Sequence, residues 1–139
     1  MRVVLDTNVC LDAFVFSDPR TAALVAAMAS GAVQAVTRAD CRDEWLAVLG
    51  YPQLKLDDVR RADASARFDA LVTVLPATEP AAKLPRCRDR DDQKFLELAA
   101  ASGAAVLFSR DAEVLKLGRR TRREGLFAIM KPEDWAGSL

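Results

Sequence analysis

Short apolar, β-branched runs alternate with longer helical patterns along the chain, and this alternation limits the available folds more than any other feature. Arg2–Leu5, Val33–Val36, Leu71–Leu75, Ala104–Phe108 and Leu126–Met130 read as strands. Helical patterns separate them. The first runs through Leu11–Val15, and Thr21–Ser30 follows Pro19 and stops at Gly31. Arg38–Leu49 carries Cys41, Trp45, Val48 and Leu49 on one stripe and ends near Gly50 and Pro52. A fourth helix opens at Asp57-Asp58 and runs to about Ala70, a fifth covers Asp91–Ser102 up to Gly103, and a short one covers Asp111–Leu117. Pro76 and Pro80 close the third strand, and Thr78–Asp89 is the longest loop. The pattern predicts an α/β three-layer sandwich: a mostly parallel five-stranded sheet with right-handed crossovers and helices on both faces. Val3-Val4-Leu5 and Ala105-Val106-Leu107-Phe108 are apolar at every position, as strands covered on both faces must be. With 139 residues, the whole span 1–139 is expected to form one domain. In such sheets the ligand site lies beyond the carboxyl ends of the strands, near the point where strand order reverses.

Composition narrows the chemistry available at that end. The chain has no histidine, which removes Ser-His-Asp triads, Cys-His pairs and imidazole bases. Its three cysteines, Cys10, Cys41 and Cys87, are scattered without a C-x-x-C, so they offer no ordinary zinc site and fit reduced thiols in a cytoplasmic setting. No glycine-rich phosphate loop is present. With 20 basic and 20 acidic residues there is no global pull toward nucleic acid, so such binding must be local. No stretch is long and apolar enough for a membrane span, and Met1-Arg2 leads directly into the first strand without a signal-peptide pattern. Carboxylates, hydroxyls and arginines remain, and they point to hard-cation chemistry or to none.

Four acids stand where such chemistry would occur. Asp6 directly follows the first strand and Asp111 follows the fourth. Asp92, beside Asp91, is in phase with Phe95, Leu96 and Ala99, the face of its helix that packs on the sheet. Glu44 sits on the apolar stripe of its own helix with no Lys or Arg at i±3 or i±4, so its partner must come from elsewhere. Each has a plainer reading: Asp6 and Asp111 as helix N-caps, Asp91 and Asp92 as favourable first-turn acids, Glu44 as a solvated edge residue. Convergence favours the functional reading, because clustered carboxylates repel one another unless a divalent cation joins them. An all-oxygen donor set suits Mg²⁺ or Mn²⁺.

Leu5-Asp6-Thr7-Asn8 resembles the opening motif of PIN-domain nucleases. The stretch from Asp89 through Asp92 to Ala99 is similar to their central motif, Ser109-Arg110-Asp111 to their third, and Glu44–Leu49 to the helix carrying their second acid. Order, spacing and length agree over essentially the whole chain. Within that family the chain resembles the VapC-like toxin components of prokaryotic toxin–antitoxin pairs. The resemblance implies strand order 3-2-1-4-5 and a Mg²⁺/Mn²⁺-dependent endoribonuclease in which a metal-activated water attacks the phosphodiester. It implies that Asp6, Glu44, Asp92 and Asp111 form the catalytic, metal-holding site, supported by Asn8, Ser109 and Asp91. It also implies an RNA substrate and a small antitoxin partner.

Two arginine groups could serve that substrate. Arg119, Arg120, Arg122 and Arg123 lie between the short helix and the last strand, either as a phosphate-contacting edge, as a solvated loop or as a patch for an acidic partner. Arg86, Arg88 and Arg90 flank the central acidic motif. Trp45 and Trp135 read as core or docking residues, and the small-residue helix Ala22–Ala29 as core packing or a homodimer face. Three rivals remain. A haloacid-dehalogenase-type phosphatase would carry Asp where Asn8 stands, and a receiver domain would carry a late strand-end lysine in place of Ser109-Arg110-Asp111. A degenerate PIN module would bind RNA or a partner without cleaving it.

Overall fold

The computed structural model describes residues 1–79 and 83–135. Strands β1 (Arg2–Leu5), β2 (Gln34–Thr37), β3 (Val72–Val74), β4 (Val106–Phe108) and β5 (Ala128–Met130) form one sheet in the order β3-β2-β1-β4-β5. All four pairings are parallel: Val3 lies opposite Ala35 on one side and Val106 on the other. Helices α1 (Thr7–Phe14), α2 (Ala22–Ser30), α3 (Ala39–Leu49), α4 (Asp58–Leu71), α5 (Gln93–Ser102), α6 (Ala112–Leu115) and α7 (Gly118–Arg123) make the crossovers. The expected five-stranded α/β architecture and strand order are both present.

Alternation along each strand divides the core into two layers. Val3, Leu5, Val106 and Phe108 face the side that holds Phe14, Trp45 and Phe68. Val4, Leu107 and Ile129 face the side that holds Phe95, Leu96 and Val114. Burial on both faces explains why Val3–Leu5 of β1 and all of β4 are apolar without interruption. In the first layer Trp45 stacks on Phe68 at 5.3 Å between ring centroids, and Phe14 meets both rings edge-on at 6.1 and 5.7 Å. Trp45 is thus a core residue. Trp135 is half-buried, with its ring edge-on to Phe108 at 6.1 Å. Helix α2 docks through Leu24 and Met28 while most of its alanines face solvent.

Several boundaries differ from the sequence expectation for local reasons. Val33 is buried, but its amide donates to Ala27 O of α2 instead of joining the sheet ladder, so β2 begins one residue later. Helix α4 keeps Leu71, which shortens β3 to Val72–Val74. Asp91 and Asp92 belong to a 3₁₀ turn, Arg90–Asp92, capped by the Asp89 carboxylate on Asp91 N, and α5 starts at Gln93. Pro80, expected to help close the third strand and its loop, lies outside the described residues.

The arginine run is a correction to the loop alternative. Gly118–Arg123 forms α7, with Thr121 fully buried and Arg120 paired to Glu124 at 3.2 Å. Gly118 lets α7 approach β5 closely: a Cβ at this position would meet Ile129 O at 3.1 Å and Ile129 Cβ at 3.3 Å. The Leu126 amide bonds Thr121 O just ahead of β5, so α7 runs back from the middle of β5 toward its amino end. The last turn of α7, with Arg122 and Arg123, therefore lies toward the end of the sheet opposite Asp6.

Candidate active site

Strand order reverses between β1 and β4, and the acids gather at the carboxyl ends of this pair. The Asp6 amide donates to Phe108 O at 2.9 Å, which continues the ladder one step and fixes Asp6 beside Ser109. Ser109 is fully buried. Its hydroxyl donates to Asp6 Oδ2 at 2.6 Å and accepts the Asp111 amide at 3.0 Å, so one oxygen links the two acidic strand ends. Asp6 Oδ1 accepts the Thr7 amide at 2.7 Å.

Asp6 and Asp92 respond to crowding. Burial pushes Asp6 up to about 6, with Glu44 and Asp111 adding charge repulsion against the lowering effect of Ser109 and the Thr7 amide. Asp92 is carried to about 7, by burial first and then by the charges of Asp6, Asp89, Asp111 and Glu44. Asp6 thus feels the charges of Glu44 and Asp111, and Asp92 those of Asp6, Asp111 and Glu44. Asp91 and Asp92 lie in the first turn of the 3₁₀ segment ahead of α5, as the first-turn reading expects, and the Asp92 side chain caps nothing. The N-cap reading holds for Asp6, through Oδ1 on the Thr7 amide, and for Asp111, whose Oδ1 accepts the Glu113 amide at 2.8 Å and the Val114 amide at 3.4 Å.

Glu44 finds its partners across the sheet end. Lys94 Nζ lies 2.8 Å from Oε1, and the Thr7 hydroxyl donates to Oε2. For Lys94, burial alone would depress the ammonium, and the hydrogen bond and charge of Glu44 more than offset it, leaving its pKa above the ordinary lysine value. Neither Thr7 nor Lys94 was singled out by sequence reasoning. The unmatched charge of Glu44 was the available clue, but its partner is 50 positions away.

Asn8 supports the site indirectly: Oδ1 accepts the Arg110 amide at 3.3 Å and so braces the turn carrying Asp111. Arg110 also pairs with Asp12 and, at 2.8 Å, with Glu133, tying that turn to the segment after β5. Asp91 contributes a backbone carbonyl, which accepts from Lys94. Arg90 and Gln93, which flank Asp91-Asp92 in the chain, line a cavity of about 680 Å³ together with Arg86, Cys87, Arg88 and Glu97. Gln93 holds the loop that carries these arginines, accepting the Cys87 amide at 2.7 Å and donating to Pro85 O at 3.1 Å. Arg119, Arg122 and Arg123 line a separate cavity of about 460 Å³ against Ile129, and none of the four acids lies in the wall of either cavity. All three cysteines are buried and unpaired, and burial raises their thiol pKa values.

The PIN domain family model matches residues 2–113, most of the chain and all four acids. The chain belongs to the PIN domain family. Comparison with curated proteins and with solved structures returns no match. PIN domains are in general nucleases, hydrolases of phosphodiester bonds, and generally use divalent metal ions. Among the described residues, no group of three acidic or thiol side chains is closed tightly enough to hold an ion as it stands. The donor chemistry nevertheless fits a hard cation. The donors are all oxygen, and Asp92 and Asp111 Oδ2 make no hydrogen bond among the described residues. No described helix is long and apolar enough to cross a membrane.

Proposed function

We propose that this PIN domain is a Mg²⁺- or Mn²⁺-dependent endoribonuclease whose site is Asp6, Glu44, Asp92 and Asp111. The observation that supports the reading is that Asp6 and Asp111 follow adjacent strands at the reversal point of the sheet and share the buried Ser109 hydroxyl, while burial lifts Asp6 and Asp92 to about 6 and about 7. Acids gathered at one partly buried end destabilise the metal-free fold, a cost that a bound cation would relieve. Asp6, Asp92 and Asp111 would hold the ion, with Glu44 beside them. Once bound, such an ion polarises the scissile phosphodiester and acidifies a water for in-line attack.

The remaining work belongs to the chain. Ser109 aims Asp6 and fixes the Asp111 turn, and Asn8 braces that turn from the far side. Arg86, Arg88 and Arg90 give the acidic end a neighbouring cationic wall, which a polyanionic substrate needs to approach four carboxylates. The absence of histidine removes the familiar metal-free route, in which imidazoles act as acid and base on the RNA 2′-hydroxyl. The resemblance to toxin components extends the proposal to a chain held in check by a small antitoxin. An adjacent reading frame encoding a small DNA-binding protein would support that setting.

The test is cleavage of an end-labelled single-stranded RNA with Mn²⁺, with EDTA, and with Asp92→Asn. Cleavage by the wild type that falls at least ~100-fold under EDTA and in the variant supports the proposal. Undiminished cleavage by Asp92→Asn overturns it. Retention of RNA by the wild type without cleavage in Mn²⁺ would identify a binding module instead.

A further inference from the structure

Three arginines, Arg86, Arg88 and Arg90, share the wall of the cavity of about 680 Å³ with one carboxylate, Glu97. Gln93 and Glu97 stand four residues apart on α5 and so lie on one face of it. The Gln93 amide is committed to the loop, through the Cys87 amide and Pro85 O. Glu97 is held differently. Arg38 Nη2 donates to its Oε2 at 3.3 Å, and Arg38 is itself anchored by two bonds of 2.8 Å to Asp40. Glu97 Oε1 makes no hydrogen bond among the described residues, and the side chain is 37% exposed. Of the three arginines only Arg88 has an ion pair among the described residues, to Glu113 at 3.9 Å. The wall thus carries unfilled donors together with an unfilled acceptor.

The cavity borders the acidic end of the sheet. Glu113, the partner of Arg88, stands two residues after Asp111, and Arg90 and Gln93 flank Asp91-Asp92. Burial raises the Cys87 thiol most, and the charges of Asp92 and Asp111 add to the rise. RNA lying on the acidic end would therefore have a base within reach of this wall, in a volume suited to a small organic group. Single-stranded RNA turns its bases out to be read on their edges and stacked on guanidinium planes. Guanine fits this donor and acceptor set best. Its O6 and N7 are adjacent acceptors that take an arginine fork, and its N1–H and N2 amino group are adjacent donors that take a carboxylate. Adenine and cytosine offer one amino group and uracil one ring N–H, so none of them presents two adjacent donor atoms.

We propose that this cavity is a base-reading subsite for a guanine of the RNA, with Glu97 accepting from N1–H and the N2 amino group and an arginine of the 86–90 loop donating to O6 and N7. Oε2 keeps a lone pair for this beside its bond to Arg38, which holds the carboxylate in place. The proposal rests on the reading of the chain as a nuclease of RNA, and on no bound metal ion.

The experiment is fluorescence anisotropy of the whole protein in EDTA, where cleavage does not intervene. The probes are four short end-labelled oligouridylates that differ only in one central base: G, A, C or U. The wild type is expected to bind the guanine oligomer at least ~10-fold tighter than the other three. Glu97→Gln and Glu97→Ala are expected to bring that ratio below about 3-fold. Reading a ratio cancels the general gain in RNA affinity from deleting a negative charge. Thermal melts confirm folding, and having both variants keeps the test usable if one fails to fold. Equal affinity for the four RNAs, preference for another base, or a guanine preference kept in both Glu97 variants overturns the subsite and leaves RNA binding standing. No binding of any of the four RNAs overturns the RNA reading with it.

Discussion

Replacing Asp92 by Asn removes one charge from the acidic cluster and should stabilise the metal-free protein. The carboxyl rises from 3.8 to about 7 on folding, so the fold disfavours its ionised form. In the unfolded chain it ionises from about pH 4 upward, and in the folded chain only near pH 7. Native stability therefore falls as pH rises through that window and stays reduced above it. The full elevation corresponds to an upper bound of about 4 kcal/mol. Asp92 is partly exposed, and solvent screening brings the working figure to about 1–2 kcal/mol. For a chain of this length that is about 3–10 °C of melting temperature at pH 8. Little opposes the gain, because the Asp92 side chain caps nothing. Differential scanning calorimetry in EDTA should show Asp92→Asn melting above the wild type at pH 8 and level with it near pH 4. In Mn²⁺ the order should reverse, since an ion at a hundredfold excess over its dissociation constant stabilises only the protein that binds it, by about 2.7 kcal/mol. A variant that melts below the wild type at pH 8 in EDTA would refute the crowding argument.

Mn²⁺ binding should release protons at pH 6–7 and weaken as pH falls through that range, because the ion needs Asp6 and Asp92 ionised; calorimetry in buffers of different ionisation enthalpy measures this. Ser109→Ala removes a charged hydrogen bond from a buried carboxylate and should cost about 1.5–3 kcal/mol at pH 8 in urea melts, with the acid limb of the cleavage profile moving to higher pH. Changing Arg86, Arg88 and Arg90 together to Ala should flatten the salt dependence of RNA affinity by about 2–3 in logarithmic slope, measured by anisotropy on Asp92→Asn protein. The same change at Arg119, Arg122 and Arg123 should leave cleavage within about twofold, since α7 runs toward the amino end of β5, away from Asp6 and Asp111.

How far the sequence reached depends on how local each determinant is. Strands buried on both faces and acids placed immediately after β1 and β4 are local patterns, so the architecture and the position of Asp6 and Asp111 were legible. Glu44 was legible as an anomaly, an acid on an apolar stripe without an in-phase cation. Lys94 was not legible as its answer, because the pair forms only once α3 and α5 meet over the sheet end. The four arginines around Thr121 hid a helix behind their polarity. What holds that helix is the close approach of Gly118 to Ile129 and the burial of Thr121, which no periodicity displays. Asp89 hid a smaller feature, since its carboxylate cap turns Arg90–Asp92 into a 3₁₀ turn and leaves the Asp92 side chain uncommitted.

The central claim is that these acids share a divalent ion, and anomalous scattering from Mn²⁺-loaded crystals tests it most directly. The account predicts a manganese peak in contact with Asp6, Asp92 and Asp111, with Lys94 still on Glu44. A peak elsewhere, or none at this end of the sheet in protein that cleaves RNA under the same conditions, would contradict it.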